Sequence, residues 1–258
     1  MAELSLLADP TALPLRSIAT LTTDSVLVVA PHPDDECLGC GGAIALLSSQ
    51  GCQVFILVIS DGTRSHPNSR QYPAPALRSL RESETRSAME LLGVNPKAIT
   101  FLGLQDGAVP MPTAPGFNAA VASCQGYLKA IAPQIIFLPW RHDPHADHRA
   151  SWQILKAALR AQANPRLQAN PRLIEYPIWD WDVSQRGAGL PTAALSAWRL
   201  DIQSVLPLKQ QAIAAYRSQI SDLINDDPQG FRLTADMLNN FAQPWEVYLE
   251  NLTPEEHL

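Results

Sequence analysis

Short apolar runs alternate along the chain with longer segments of helical period. Ser25–Ala30 (SVLVVA), Gln53–Ser60 (QVFILVIS) and Gln134–Leu138 (QIIFL) are rich in β-branched residues and stop at Pro31, Asp61-Gly62 and Pro139. Runs of this kind read as strands buried on both faces. Ile99–Leu102 and Leu173–Ile178 read as further strands. Between them, GGAIALLSSQG predicts a small-residue helix ending near Gly51. Leu77–Leu92 has helical period, with Leu77, Leu80, Glu84, Ala88, Leu91 and Leu92 on or near one side and Gly93 at its end. Asn118–Ile131 predicts another helix, and a further one opens at Asp147 or His148 and runs through Ala161. The polar, proline-bearing Thr63–Pro75 reads as a surface loop.

Strand–helix alternation with buried strands predicts an α/β fold, a Rossmann-like, mostly parallel sheet with helices on both faces. Trp198–Val205, a helix at Leu206–Asp222, another near Leu233–Phe241 and a strand at Trp245–Leu249 make a small C-terminal α+β addition. With no linker or repeat in view, one domain over residues 1–258 is expected, its core about 24–180 and the addition about 181–258.

Composition narrows the function classes. The chain has 258 residues, 46% of them hydrophobic and only 17% charged, which leaves ample material for a core. Its 25 acidic and 19 basic residues give a net charge of -6, the opposite of a nucleic-acid binder's basic stripe. No apolar run approaches the ~18 residues of a membrane span. MAELSLLADPTALPLRS lacks a basic segment ahead of an apolar one, so a cytoplasmic location is expected. Four cysteines do not make a disulfide scaffold in a chain of this length.

Ligands of open α/β sheets sit at the carboxyl ends of strands. His32-Pro33-Asp34-Asp35-Glu36 follows the first strand, and Arg141-His142-Asp143-Pro144-His145-Ala146-Asp147-His148 follows QIIFLP. Imidazoles mixed with carboxylates suit a divalent metal such as zinc, held by three protein ligands with a position open for water. A bare polar turn would explain HPDDE alone, but a second cluster at a second strand end argues against it. His142 and Asp143, surplus to a three-ligand site, read as loop residues. Cys37-Leu38-Gly39-Cys40 lacks a partner CxxC and reads as structural. GCGG lacks the spacing of a phosphate loop. Arg81 and Glu84 read equally as functional residues or as a helix-surface ion pair. Trp179 leans towards a sugar site, and His66 and His257 have no expected role.

VLVVAPHPDDECLGCGG, R-x-x-E-x-x-x-A-x-x-x-L-G (Arg81, Glu84, Ala88, Leu92, Gly93), FLGLQDG and HADH together resemble the PIG-L/LmbE-type metal-dependent N-deacetylase family. The likeness extends through LIEYPIW and more weakly through KQQAIAAYRSQ. It implies His32, Asp35 and His148 as ligands of Zn²⁺ or another divalent transition metal. It also implies Asp34 as general base, His145 as stabiliser of developing charge, and Asp147 as a residue orienting one of the histidines. Arg81 and Asp106 would hold sugar hydroxyls. The implied activity is removal of an N-acetyl or other acyl group from a small amino sugar or glycoconjugate. The leaving amine would take its proton from Asp34 or from His145. A non-catalytic metal- or sugar-binding module is the alternative, and a nucleotide-dependent enzyme on a similar sheet is a weaker one.

Overall fold

The computed structural model describes residues 9–21, 23–162, 171–181 and 195–251. His257 lies outside them. Eight strands form one sheet: β1 (Leu15–Arg16), β2 (Ser25–Ala30), β3 (Gln53–Ser60), β4 (Ile99–Leu104), β5 (Ile135–Pro139), β6 (Arg172–Tyr176), β7 (Leu195–Asp201) and β8 (Trp245–Asn251). Their spatial order is β1-β7-β8-β6-β5-β2-β3-β4. The run β6-β5-β2-β3-β4 is parallel throughout. β8 is antiparallel to both β6 and β7, and β1 pairs parallel with β7. The expected C-terminal addition therefore continues the same sheet.

The chain leaves β2 towards β3 and β4 on one side and takes up β5 and β6 on the other. The crevice where the order reverses is where open sheets bind ligands. Both histidine-bearing loops open into it, because one follows β2 and the other β5.

β2 shows why the strands carry no polar face. Val26, Val28 and Ala30 enter one core, and Leu27 and Val29 enter the other. The first core is covered by α1 (Asp35–Ser49), α2 (Ala74–Leu91) and α5 (Leu206–Ala214), and the second by α3 (Phe117–Ile131) and α4 (Ala146–Gln162). The glycines of α1 serve packing: a Cβ on Gly39 would lie 2.2 Å from the Tyr176 ring, and one on Gly42 2.5 Å from Ile202. Cys37 and Cys40 are free and fully buried beside them, and burial pushes both thiols well above their usual range.

Three expectations change. Leu91 is exposed, and the inner face of α2 carries Arg81, Glu84 and Thr85 between Leu77 and Ala88. The Leu206–Asp222 helix is two pieces, α5 and α6 (Arg217–Ile220), because Tyr216 leaves helical geometry (φ -80°, ψ 57°). The 63–75 segment is pinned down: Ser65, His66 and Ser69 are buried. There Asp226 accepts hydrogen bonds from the Ser69 hydroxyl and the Arg70 and Gln71 amides, and Asp227 accepts one from the Asn68 amide.

Candidate active site

The loop after β2 ends at Asp34, the residue before α1, with φ 127° and ψ -30°. A non-glycine residue there is strained by ~1–3 kcal/mol and persists only where its surroundings hold it. The Asp34 amide donates to Glu36 Oε2 (3.1 Å), and its carbonyl accepts from the Cys37 and Leu38 amides (both 2.9 Å). Asp34 Oδ2 lies 3.0 Å from Arg81 Nη2. Arg81 also donates to the Pro33 and Gly62 carbonyls. Burial pushes the Asp34 carboxyl up to about 8 against the opposing charge of Arg81.

Beside it, His32 Nδ1, Asp35 Oδ2 and His148 Nε2 form a triangle with edges of 3.2, 3.2 and 3.3 Å. Donors ~2.0–2.1 Å from a tetrahedral ion stand roughly 3.3–3.4 Å apart, so the triangle matches one face of such a site. Two imidazoles and one carboxylate suit zinc or a similar ion, and the donor set fits. His32 Nε2 is 3.3 Å from both Asp106 and Asp147. Those carboxylates could join His32 in a different ligand group, and His145 could join His32 and His148 in another. However, Asp106 already accepts from the Arg64 amide, and Asp147 from the Gly107 and Val109 amides. Both are thus placed to fix the orientation of His32 while leaving Nδ1 for an ion.

Charge follows the same pattern. Burial alone would lower His32, yet Asp106, Asp147 and Asp35 raise it well above the usual histidine range. His148 is likewise raised to about 9, against burial, by Asp143 and Asp35. Asp35, despite burial, is held well below the carboxylate range by His148 and His32. Asp106, despite burial, is held at about 2 by His32. An ion at this point would have to displace those protons, since only a neutral imidazole offers a lone pair.

His145 is different. Burial and its two neighbouring histidines push it down to about 4, so its imidazole is neutral. Nδ1 accepts from the Asp147 amide at 3.2 Å, which places the ring hydrogen on Nε2. The ring stacks on Trp179 at 5.8 Å and meets His32 edge-on at 4.8 Å.

The structure brings all eight expected site residues to this crevice. Of the eight, Asp34, Asp35, His32, His145, Arg81 and Asp106 line a cavity of about 320 Å³ with Trp179. Asp147 and His148 are buried behind it. Arg81 and Glu84 do not form a surface ion pair. Both are buried, and Glu84 accepts from the Ser218 amide (2.8 Å) and hydroxyl (2.6 Å).

Sequence reasoning missed two supports. Asp143 is fully buried, and its Oδ2 lies 3.3 Å from His148 Nδ1. It also accepts from the His145 and Trp179 amides (2.8 and 3.2 Å). Glu36, raised by burial to about 7, accepts from the Tyr216 hydroxyl while holding the Asp34 amide. Surplus acids beside a ligand set were the available signal for Asp143.

A 1D-myo-inositol 2-acetamido-2-deoxy-alpha-D-glucopyranoside deacetylase of Rhodococcus erythropolis is 25% identical over 270 residues, covering 87% of this chain and 89% of that one. Among solved structures, the conserved protein TT1542 of Thermus thermophilus is 29% identical with a TM-score of 0.56, covering 77% of this chain and 80% of that one. GalB, the 4-carboxy-2-hydroxymuconate hydratase of Pseudomonas putida KT2440, has a TM-score of 0.64 at 21% identity, covering 90% of this chain and 97% of that one. Its likeness concerns the fold. Residues 27–159, which carry every site residue discussed above from His32 to His148, match the family described as PIG-L: GlcNAc-PI de-N-acetylase, and the chain belongs to that family.

Proposed function

We propose that the protein is a metal-dependent hydrolase that removes an N-acyl group, acetyl in the simplest case, from the amino group of a sugar or sugar conjugate. The triangle of donors on His32, Asp35 and His148 beside the Asp34 carboxyl carries this reading. Zn²⁺ is the ion we favour, and when bound it supplies Lewis acidity that activates water near neutral pH.

The chain's own groups divide the remaining work. In its ionised form, which Arg81 favours against burial, Asp34 takes the proton from the attacking water, held against the cavity by Arg81 and by its strained backbone. His145, with its hydrogen on Nε2, donates to the oxyanion that forms as the carbonyl becomes tetrahedral. Asp147 and Asp143 hold His32 and His148 in orientation. Asp106 borders the cavity and offers a carboxylate to sugar hydroxyls. Asp34, having taken the proton from water, is the group we assign to protonate the leaving amine. We also place the protein in the cytoplasm, a reading supported by four cysteines that are all free.

The test is amine release from N-acetylglucosamine derivatives by purified protein, after chelation and after reloading with zinc or cobalt. Chelation should abolish release and reloading restore it, while Asp34→Ala and His148→Ala stay inactive. Full activity in both variants overturns the reading. Bound metal with no turnover across a broad panel assigns the chain to a binding module instead.

A further inference from the structure

Trp179 follows β6, and its indole meets the loop after β5 at His145. The two rings stack with 5.8 Å between centroids and 23° between planes. That spacing and tilt belong to offset stacking. The same imidazole meets His32 edge-on at 4.8 Å. Asp143 ties the two stacked residues together through their backbones. Its Oδ1 accepts from the His145 amide (2.8 Å) and its Oδ2 from the Trp179 amide (3.2 Å). The indole in turn contacts the Phe231 ring at 5.5 Å and 53°. Phe231 is anchored by its amide, which donates to the Ser65 carbonyl.

Among the described residues the His145 ring makes one hydrogen bond, accepted at Nδ1 from the Asp147 amide. That bond assigns the ring hydrogen to Nε2 but fixes only one point of the ring. The plane is left free to turn about that point, and the plane decides where Nε2–H is aimed. A donor serves an oxyanion only from about 2.7–3.1 Å, and a misplacement of ~1 Å costs about 100-fold. Contact with Trp179 on a face and with His32 at an edge removes this freedom. The indole surface turned to His145 is also taken, and so is closed to a sugar ring.

Resting on the hydrolase reading above, we propose that Trp179 is a positioning residue that acts through His145. Its indole holds the imidazole in the plane from which Nε2–H reaches the developing oxyanion, and it contributes nothing to the affinity for the sugar.

A double-mutant cycle follows the route of the effect. Trp179→Leu should lower kcat about 30-fold with KM within about twofold of wild type. Trp179→Phe keeps a flat ring and should stay within about threefold of wild type in kcat. In a His145→Gln background, Trp179→Leu should cost no more than about twofold, because the group it acts through is gone. The full loss in that background, or a rise in KM at constant kcat, overturns the proposal and gives Trp179 to sugar binding. Nitrogen NMR of the histidine rings reads the same contact without turnover, the His145 signals being assigned from the His145→Gln spectrum. Wild type and Trp179→Phe should show one bare and one protonated nitrogen. In Trp179→Leu the ring can turn away from the Asp147 amide, so the two signals should move towards their average. Unchanged signals in that variant overturn the proposal. Trp179→Met takes its place should it fail to fold. No amine release by the wild type from any N-acylated sugar removes the hydrolase reading, and the nitrogen signals then judge whether Trp179 fixes the ring.

Discussion

Arg81 Nη2 lies 3.0 Å from Asp34 Oδ2, with both side chains buried. The same guanidinium also donates to the carbonyls of Pro33 and Gly62. Arg81 is therefore engaged in holding the proposed base, whatever it also offers a sugar. Arg81→Met leaves Asp34 buried without its counter-charge and drives its carboxyl further towards the protonated form. We expect kcat at pH 7 to fall about 100-fold, with partial recovery at higher pH and little change in KM. Steady-state kinetics across pH check this; a rise in KM at constant kcat would assign Arg81 to sugar binding alone. Arg81→Lys is no substitute, because one ammonium cannot reproduce the planar fork.

Asp143 stands 3.3 Å from the far nitrogen of His148. Asp143→Asn keeps the volume and removes the charge that orients and polarises that imidazole. Metal affinity should drop roughly 10–100-fold, with most activity regained at saturating metal. Chelator competition measures the first effect and rate against metal concentration the second.

Tyr216→Phe removes the hydroxyl donor to buried Glu36. Leaving a buried carboxylate short of a donor costs about 2 kcal/mol, roughly 5 °C in Tm for a chain of this size. Glu36 also holds the Asp34 amide, so kcat should fall with the melting temperature. Calorimetry together with kinetics checks both, and loss of stability alone would limit Glu36 to packing.

Glu84 is raised above its usual 4.5 by burial, with its two bonds to Ser218 opposing. A carboxyl raised on folding binds more protons in the native than in the unfolded state. Its contribution to stability is thus greatest below pH 4.5 and declines as pH rises to the native value. Glu84→Gln fixes the neutral form and should flatten that decline in Tm between acid and neutral pH. Glu84→Ala should instead cost about 3 kcal/mol by stranding the Ser218 amide and hydroxyl. Thermal melts from pH 4 to 8 distinguish the two.

The parallel half of the fold was legible because its strands are buried on both faces, and burial on both faces leaves uninterrupted runs such as VLVVA and FILVIS. The meeting of the histidine loops followed from where those runs end. The break at Tyr216 was not legible, since helical period continues through it. The tyrosine turns inward to the distant Glu36 carboxylate and into the core packed on α1 and α2. Asp143 was hidden in a similar way: its partners include the Trp179 amide, beyond β6. Glu84 sat on the predicted apolar side of its helix, but spacing alone could not tell whether it and Arg81 were a buried pair with separate partners or a surface ion pair.

Trp179, Phe231, Met237 and Phe241, which line one side of the cavity, and its charged lining residues, from His32 to His145, come from different stretches of chain. Substitutions on the Ala235–Phe241 helix can reshape what the pocket admits without entering the hydrogen-bond network around His32 and His148, because effects at sites that share no partners add independently. A lineage of such proteins is free to change its clientele one side chain at a time while the hydrolytic machinery stays as it is.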